Sequence, residues 1–384
     1  MWDHLPEELW VHIFARVPGR SLGRLRCVCK KWNSLITSPG FVSLHSKTTF
    51  DNQPKWIRVL YRRNDNDSNG VMHLDITDSS FLRRSWKINW PFEIHYKLEI
   101  IGYCNGLFCV RNWYKQESII ILCNTLTRSF KMLPRAPIMV KCFVYKHLIA
   151  GLDPPKSHGS LIYGFGFDTK NSDFKVVRVL YWREEVAAPN PIVELMVYRL
   201  STGCWEGIDA DLPWHDVSAE GSLEMVFLNS SVHWIVKDLR AGHCPSDLIL
   251  SFDLVYEKFS DMAFPVTSAR LVLQTSSLFV SEGLLCLSCN DLECCCHIWV
   301  MEEYGMTDSW TQHYKIENTW VDKVIGIRKS GDILLLIFRE ISSYKPWDGV
   351  CKYENFNFYR GTNEAFYVDS YVENLALISG ANGL

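Results

Sequence analysis

Beyond about residue 100 one short unit recurs, and it constrains the fold more than any other feature of the chain. A strand ends, a polar turn follows, and an aromatic residue opens the next strand six positions after the last residue of the one before. The pairs are Asn124/Phe130, Asp168/Phe174, Arg199/Trp205, Asp253/Phe259, Tyr304/Trp310 and Arg360/Phe366. Around them lie apolar or alternating runs of strand length at 107–110, 119–122, 176–180, 195–200, 232–236, 248–254, 284–287, 297–301 and 333–338. Runs this short, bounded by turn residues and lacking a 3.6-residue period, read as strands rather than helices.

Successive aromatics of these pairs are separated by 44, 31, 54, 51 and 56 residues. Four strands and three turns need about 40–50 residues, so a recurrence near 50 predicts a β-propeller blade per repeat, and the length after residue 50 accommodates about six. The 31-residue interval is too short for a blade, which predicts that the second and third hairpins share one. A twisted β-sandwich with many hairpins is the alternative. A hydrophobic content of 47% supports a real core, and an aromatic content of 13%, with 15 Trp, favours β-structure.

The first 45 residues behave differently. Leu9, Ile13, Phe14 and Val17 share a face at helical spacing, and so do Leu22, Leu25, Val28, Trp32 and Leu35. Pro18-Gly19 separates the stretches, and Ser21 is placed to cap the second. Two or three helices this short cannot bury what they carry without a disulfide, a metal or a partner. The apolar face is therefore a docking surface, for the rest of the chain or for another protein.

Composition excludes several function classes. A formal net charge of −3 gives no general attraction to nucleic acid or anionic membrane. The basic cluster Arg16, Arg20, Arg24, Arg26, Lys30 and Lys31 lies largely along one amphipathic stretch, as a solvated face would. No apolar run approaches the 18 residues of a membrane span. The N-terminus has neither a basic nor an apolar leader region, so the 14 Cys are expected reduced, in a soluble intracellular protein. Cys286, Cys289, Cys294, Cys295, Cys296 and His297 suggest zinc by type, but consecutive strand residues face opposite ways and no finger spacing is completed. Gly164-Phe165-Gly166 lacks the third glycine and the following lysine of a phosphate loop. The acid pairs Glu184-Glu185 and Glu302-Glu303 have no neighbouring nucleophile and read as solvated turns.

Two resemblances join these readings. Leu5-Pro6, Leu9, Ile13, Phe14, Val17-Pro18, Ser21-Leu22, the run Arg26-Cys27-Val28-Cys29-Lys30, Trp32 and Leu35-Ile36 resemble a plant F-box. Phe14, Val17, Arg20 and Leu25 depart from the usual residue and keep its character. Across about residues 100–340 the chain is similar to the type 1 F-box-associated, kelch-like domain. The matching segments, in order, include Asn105-Gly106-Leu107, Gly164-Phe165-Gly166-Phe167-Asp168, Ser251-Phe252-Asp253 and Trp299-Val300-Met301.

The resemblance implies a small all-α domain at 1–45 and a large all-β domain at 46–384. It implies the non-catalytic substrate-recognition subunit of a Skp–cullin–F-box ubiquitin ligase, without cofactor, metal, nucleic-acid or membrane partner. The helices would dock on a Skp-type adaptor, and through it a cullin and a RING subunit. The residues expected at that contact are Leu5, Pro6, Leu9, Ile13, Phe14, Leu22, Leu25, Arg26, Cys27, Val28, Lys30 and Trp32. The β-domain would hold an unidentified target protein marked for proteasomal degradation. Candidate receptor loops, longer than tight turns, are 62–70, 152–159, 183–191, 237–247 and 342–350, with Trp182, Trp214, Trp320 and Trp347 in or near loops. The alternative is a ligand-binding propeller, lectin-like or galactose-oxidase-like, with no ubiquitin role.

Overall fold

Three bounded helices, with further helical residues at 40–42 and 44–45, precede twenty-five strands among the described residues of a computed structural model, which describes most of residues 6–45, 56–63, 71–77, 83–88, 97–137, 158–183, 192–209, 217–218, 225–238, 246–265, 271–353, 366–371 and Leu375. The helices are α1 (Glu7–Ala15), α2 (Gly19–Leu25) and α3 (Lys30–Thr37). Glu7 and Glu8 stand in the first turn of α1, where carboxylates favour the exposed N–H groups. Pro18, not Ser21, occupies the cap of α2, and the Ser21 amide instead donates to the Pro18 carbonyl at 2.8 Å. The second apolar stretch is not one helix. It breaks at residues 26–29, and Cys29, in extended backbone, caps α3 by accepting the Trp32 amide on its sulfur at 3.4 Å.

Strands form six antiparallel sheets. The first contains β1 (Trp56–Arg63), β2 (Val71–Thr77), β3 (Arg83–Ile88) and the last strand, β25 (Phe366–Tyr371), which pairs with β1 along its length. In the second are β4 (Lys97–Cys104), β5 (Leu107–Tyr114), β6 (Glu117–Asn124) and β7 (Ser129–Met132). The third holds β8 (His158–Asp168), β9 (Asp173–Arg183), β10 (Ile192–Arg199) and β11 (Cys204–Ile208). A fourth, of five strands, has β12 (Val217–Ser218) and β13 (Met225–Leu228) both on β14 (Ser231–Asp238), then β15 (Ser246–Asp253) and β16 (Lys258–Ala263). Next come β17 (Leu271–Ser281), β18 (Leu284–Asp291), β19 (Cys296–Met301) and β20 (Trp310–Ile316). The sixth is β21 (Lys323–Ile327), β22 (Ile333–Ile337), β23 (Glu340–Lys345) and β24 (Val350–Tyr353). All nine apolar runs read from sequence fall on strands. Phe174 and Trp205 lie in one sheet, which explains the short interval between them.

The six-residue spacing has a geometric cause. Asn124, Asp168 and Asp253 each end a strand and turn the side-chain Oδ1 onto the two amides two and three positions ahead, at 2.7–3.1 Å. The turn closes through a left-handed residue four positions on, Ser172 at φ 53° and Glu257 at φ 55°. The aromatic at position six then faces the residue just before the cap, pairing Phe167 with Phe174 and Phe252 with Phe259. Their ring centroids are 4.9 and 4.8 Å apart, a favourable cross-strand aromatic contact. Arg199/Trp205 uses the same register without a carboxylate cap, with Gly203 at φ 72° in the left-handed position. Tyr304/Trp310 departs: Tyr304 lies in a longer turn, and Trp310 faces Met301. Arg360 lies outside the described residues.

The chain divides into two compact units, residues 1–135 with 361–384, and residues 136–360. In the first, the helices bury Trp10, Phe14, Ala15, Leu22, Ile36 and Phe41 around Leu375, with Leu126 packed beside them. In the second, the fourth and fifth sheets share a core of Ile249, Met262, Leu285, Leu287 and Met301. The fifth and sixth share Phe279, Cys296, Ile298, Val324, Ile333 and Leu335. Between the third and fourth sheets the packing is partly ionic. The buried Lys175 ammonium sits 2.8 Å from Asp168 and 2.9 Å from Glu257, and donates to the Leu254 carbonyl. Burial opposes ionisation of Asp168, but hydrogen bonds from Lys175 and Asn171 outweigh it and hold the carboxyl below its usual range.

Candidate functional site

Helix α1 is apolar on two sides, and the sides have different fates. Trp10, Phe14 and Ala15 turn inward; Phe14 is 2% exposed. The rings of Trp10, Phe14 and Trp32 meet in tilted and edge-on pairs, with centroids 5.1–5.3 Å apart. On the other side Leu9 and Ile13, one turn apart, remain 46% and 48% exposed. The connection between α2 and α3 adds Val28 at 62%, with Cys27, Cys29, Lys30 and Lys31 also exposed. Exposing large aliphatic side chains on so small a module leaves apolar area uncovered, the property expected of a docking face.

The expected contact residues therefore divide. Pro6, Leu9, Ile13, Cys27, Val28 and Lys30 are exposed. Leu25, Arg26 and Trp32 are half-buried, and the Arg26 Nε donates to Asn33 at 3.1 Å. Phe14 and Leu22 are buried in the helical core, Leu22 completely. The run Cys27-Val28-Cys29 is an exposed connection between α2 and α3. Leu5 lies outside the described residues. Sequence reading missed Trp10, although an almost wholly apolar stretch from Leu9 to Ala15 signals a helix covered on more than one side.

Of the receptor loops, 342–350 is corrected. It is the tight hairpin joining β23 and β24, with Lys345 facing Val350 and Gly349 at φ 63°. Trp347 stands exposed at its tip, 6.0 Å from the Lys345 ammonium. Trp182 belongs to β9, and Trp320 is half-buried after β20. Loops 62–70, 152–159, 183–191 and 237–247, apart from their strand ends, lie outside the described residues, as do Trp214 and Glu184-Glu185.

Chemistry-bearing residues elsewhere have structural partners. Asp291 accepts the Glu293 and Cys295 amides at 2.9 and 2.8 Å and meets the His297 imidazole at 2.9 Å. Cys286, Cys289 and Cys296 are buried, and burial pushes the first two thiols up to about 12. Among the described residues no group of three or more His, Cys, Asp or Glu side chains is placed to hold a metal ion. Gly164 lies in β8 beneath Trp234: a Cβ there would stand 2.5 Å from the indole, whose N–H donates to the Tyr163 carbonyl at 2.8 Å. The glycine serves close packing between sheets. Glu302 accepts from Thr311 and His313 on an exposed hairpin.

A helical module with an uncovered apolar side, carried on a body of repeated antiparallel sheets, defines a two-part binding protein. Residues 59–338 match the family model of the F-box associated beta propeller domain, and residues 2–44 match that of the F-box domain. The chain belongs to the F-box associated beta propeller family. It is 25% identical to the F-box protein CPR1 of Arabidopsis thaliana, over 82% of this chain and 73% of that protein. The F-box protein At3g07870 is 26% identical over 92% and 81% of the two chains, and the F-box/kelch-repeat protein At3g23880 is 24% identical over 94% and 93%, both from Arabidopsis thaliana. An F-box ahead of a propeller is, in general, the architecture of a substrate-recognition subunit that docks on a Skp-type adaptor, and such subunits are typically non-catalytic. Among the described residues no helix is long and apolar enough to cross a membrane.

Proposed function

We infer that this chain is the target-selecting subunit of a Skp–cullin–F-box ubiquitin ligase. Residues 1–45 would form the adaptor module and residues 46–384 the receptor for a protein destined for ubiquitination and degradation. The observation that carries the reading is the exposure of Leu9, Ile13 and Val28 beside a buried Trp10–Phe14 centre. Pro6, Cys27 and Lys30 extend the proposed face, with Leu25, Arg26 and Trp32 at its margin. Such a subunit moves no bonds. It raises the effective concentration of a bound target near a charged conjugating enzyme brought by the cullin and RING subunit.

In the third and fourth sheets, the connections from β9 to β10 and from β14 to β15 leave from the strand ends opposite the hairpins capped by Asp168 and Asp253. Loops 183–191 and 237–247 are such connections, which supports that end as the receptor side. The test is co-purification of the full chain with a Skp-type adaptor. Leu9→Asp with Ile13→Asp removes the association while leaving far-ultraviolet circular dichroism unchanged, because both side chains point away from the core. Retention of the adaptor by a folded double variant refutes the assignment of this face.

A further inference from the structure

Leu375 is 3% exposed, and the residues that bury it belong to the helices, not to a sheet. It lies four residues beyond β25, the strand that completes the first sheet by pairing with β1 from Trp56–Tyr371 to Tyr61–Phe366. Leu126 packs against the same cluster, out of the hairpin between β6 and β7. That hairpin is held by the fully buried Asn124, whose Oδ1 accepts the amides of Leu126 itself and of Thr127 at 2.9 and 3.1 Å. The equivalent position after Asp168 is Lys170, which is exposed. The repeated turn thus gains a second use in the second sheet, where it presents an apolar residue to the helices.

We propose that Leu375 and Leu126 are positioning residues: two anchors, one from the closing strand and one from a capped hairpin, that fix the adaptor-binding helices rigidly to the first two sheets. The inference rests on the function proposed above and adds to it the device that holds the adaptor-binding helices to the strands of their own unit. A single covalent connection between α3 and β1 would leave the helices free to swing, and effective concentration falls when the tether is loose. Two further points of attachment, separated in sequence by the whole propeller, remove that freedom. Because Leu375 follows β25 closely, seating the helices and completing the first sheet become a single event.

The experiment uses the full chain with spin labels introduced as unnatural amino acids at Ser34 on α3 and Met132 on β7, both exposed, and reads the distance distribution between them. Wild type and Leu375→Met give one narrow distribution. Leu375→Asp and, separately, Leu126→Glu broaden it at least about twofold, as expected for a module held by a flexible tether, while adaptor capture and the thermal transition of the β-domain persist. A narrow distribution in both variants overturns the proposal. Should Leu375→Asp unfold the helices, Leu126→Glu decides, since that residue lies at the margin of the cluster: a narrow distribution there overturns the proposal and a broad one upholds it. The Leu9→Asp, Ile13→Asp variant keeps the narrow distribution whether or not it binds adaptor, so failure of the functional reading is seen apart from failure of this one.

Discussion

His233 in β14 is buried, its Nδ1–H donating to the Val226 carbonyl at 3.1 Å and its Nε2 accepting the Tyr304 hydroxyl at 2.8 Å. Burial pulls its pKa down to about 4, against a weaker opposite pull from the Val226 carbonyl. Unfolded, the ring titrates near 6.5, so between about 6.5 and 4 the unfolded chain binds more protons, and acidification costs stability on the order of 3 kcal/mol. Asp247 in β15 works the other way. Burial raises its carboxyl to about 6, with Lys237 opposite it in register pulling back. The folded chain then holds the extra proton between about 4 and 6, and acid stabilises it there. Asp247→Asn removes the opposing slope, so stability falls more steeply from pH 6 to pH 4.5 than in wild type, read by urea denaturation at each pH. Parallel slopes would contradict the assignment. The capping residues Asn124, Asp168 and Asp253 were legible in sequence because a local turn fixes their spacing. His233 was not, because its partner Tyr304 lies 71 residues away.

At the scale of elements, two glycines make opposite predictions. Gly164→Ala forces a methyl into the Trp234 ring and destabilises by about 1–3 kcal/mol, seen as a lower denaturant midpoint. Gly23, inside α2 with open space at its Cβ position, gains from the same change: Gly23→Ala stabilises by about 0.5–1 kcal/mol. A loss at Gly23 would show that its missing side chain matters to more than helix propensity. The strands were readable because their apolar runs are short and punctuated. From sequence the helical start read as two or three helices, because Leu22, Leu25, Val28 and Trp32 keep helical spacing across a break. Periodicity alone does not reveal that residues 26–29 leave the helix and that the Cys29 sulfur restarts it.

For the whole molecule, the helices are not self-sufficient. Residues 1–45 expressed alone lack both Leu375 and Leu126, and their outer face is uncovered. They should melt without a cooperative transition by circular dichroism, and gain helix when a Skp-type adaptor is added. A sharp transition from the isolated segment would show that the anchors are dispensable for its folding. By itself the sequence determined the helical start, the six-fold recurrence of short strands, the capped hairpins and membership in the F-box associated propeller class. Each of these is written in neighbouring residues, through turn chemistry and side-chain period. Tertiary structure alone decided which side of α1 faces outward, that Phe14 and Leu22 belong to the core, and that the far end of the chain completes the first sheet and seats Leu375 among the helices. Those outcomes depend on contacts between residues hundreds of positions apart, and no local pattern encodes which of two apolar faces a distant leucine will cover.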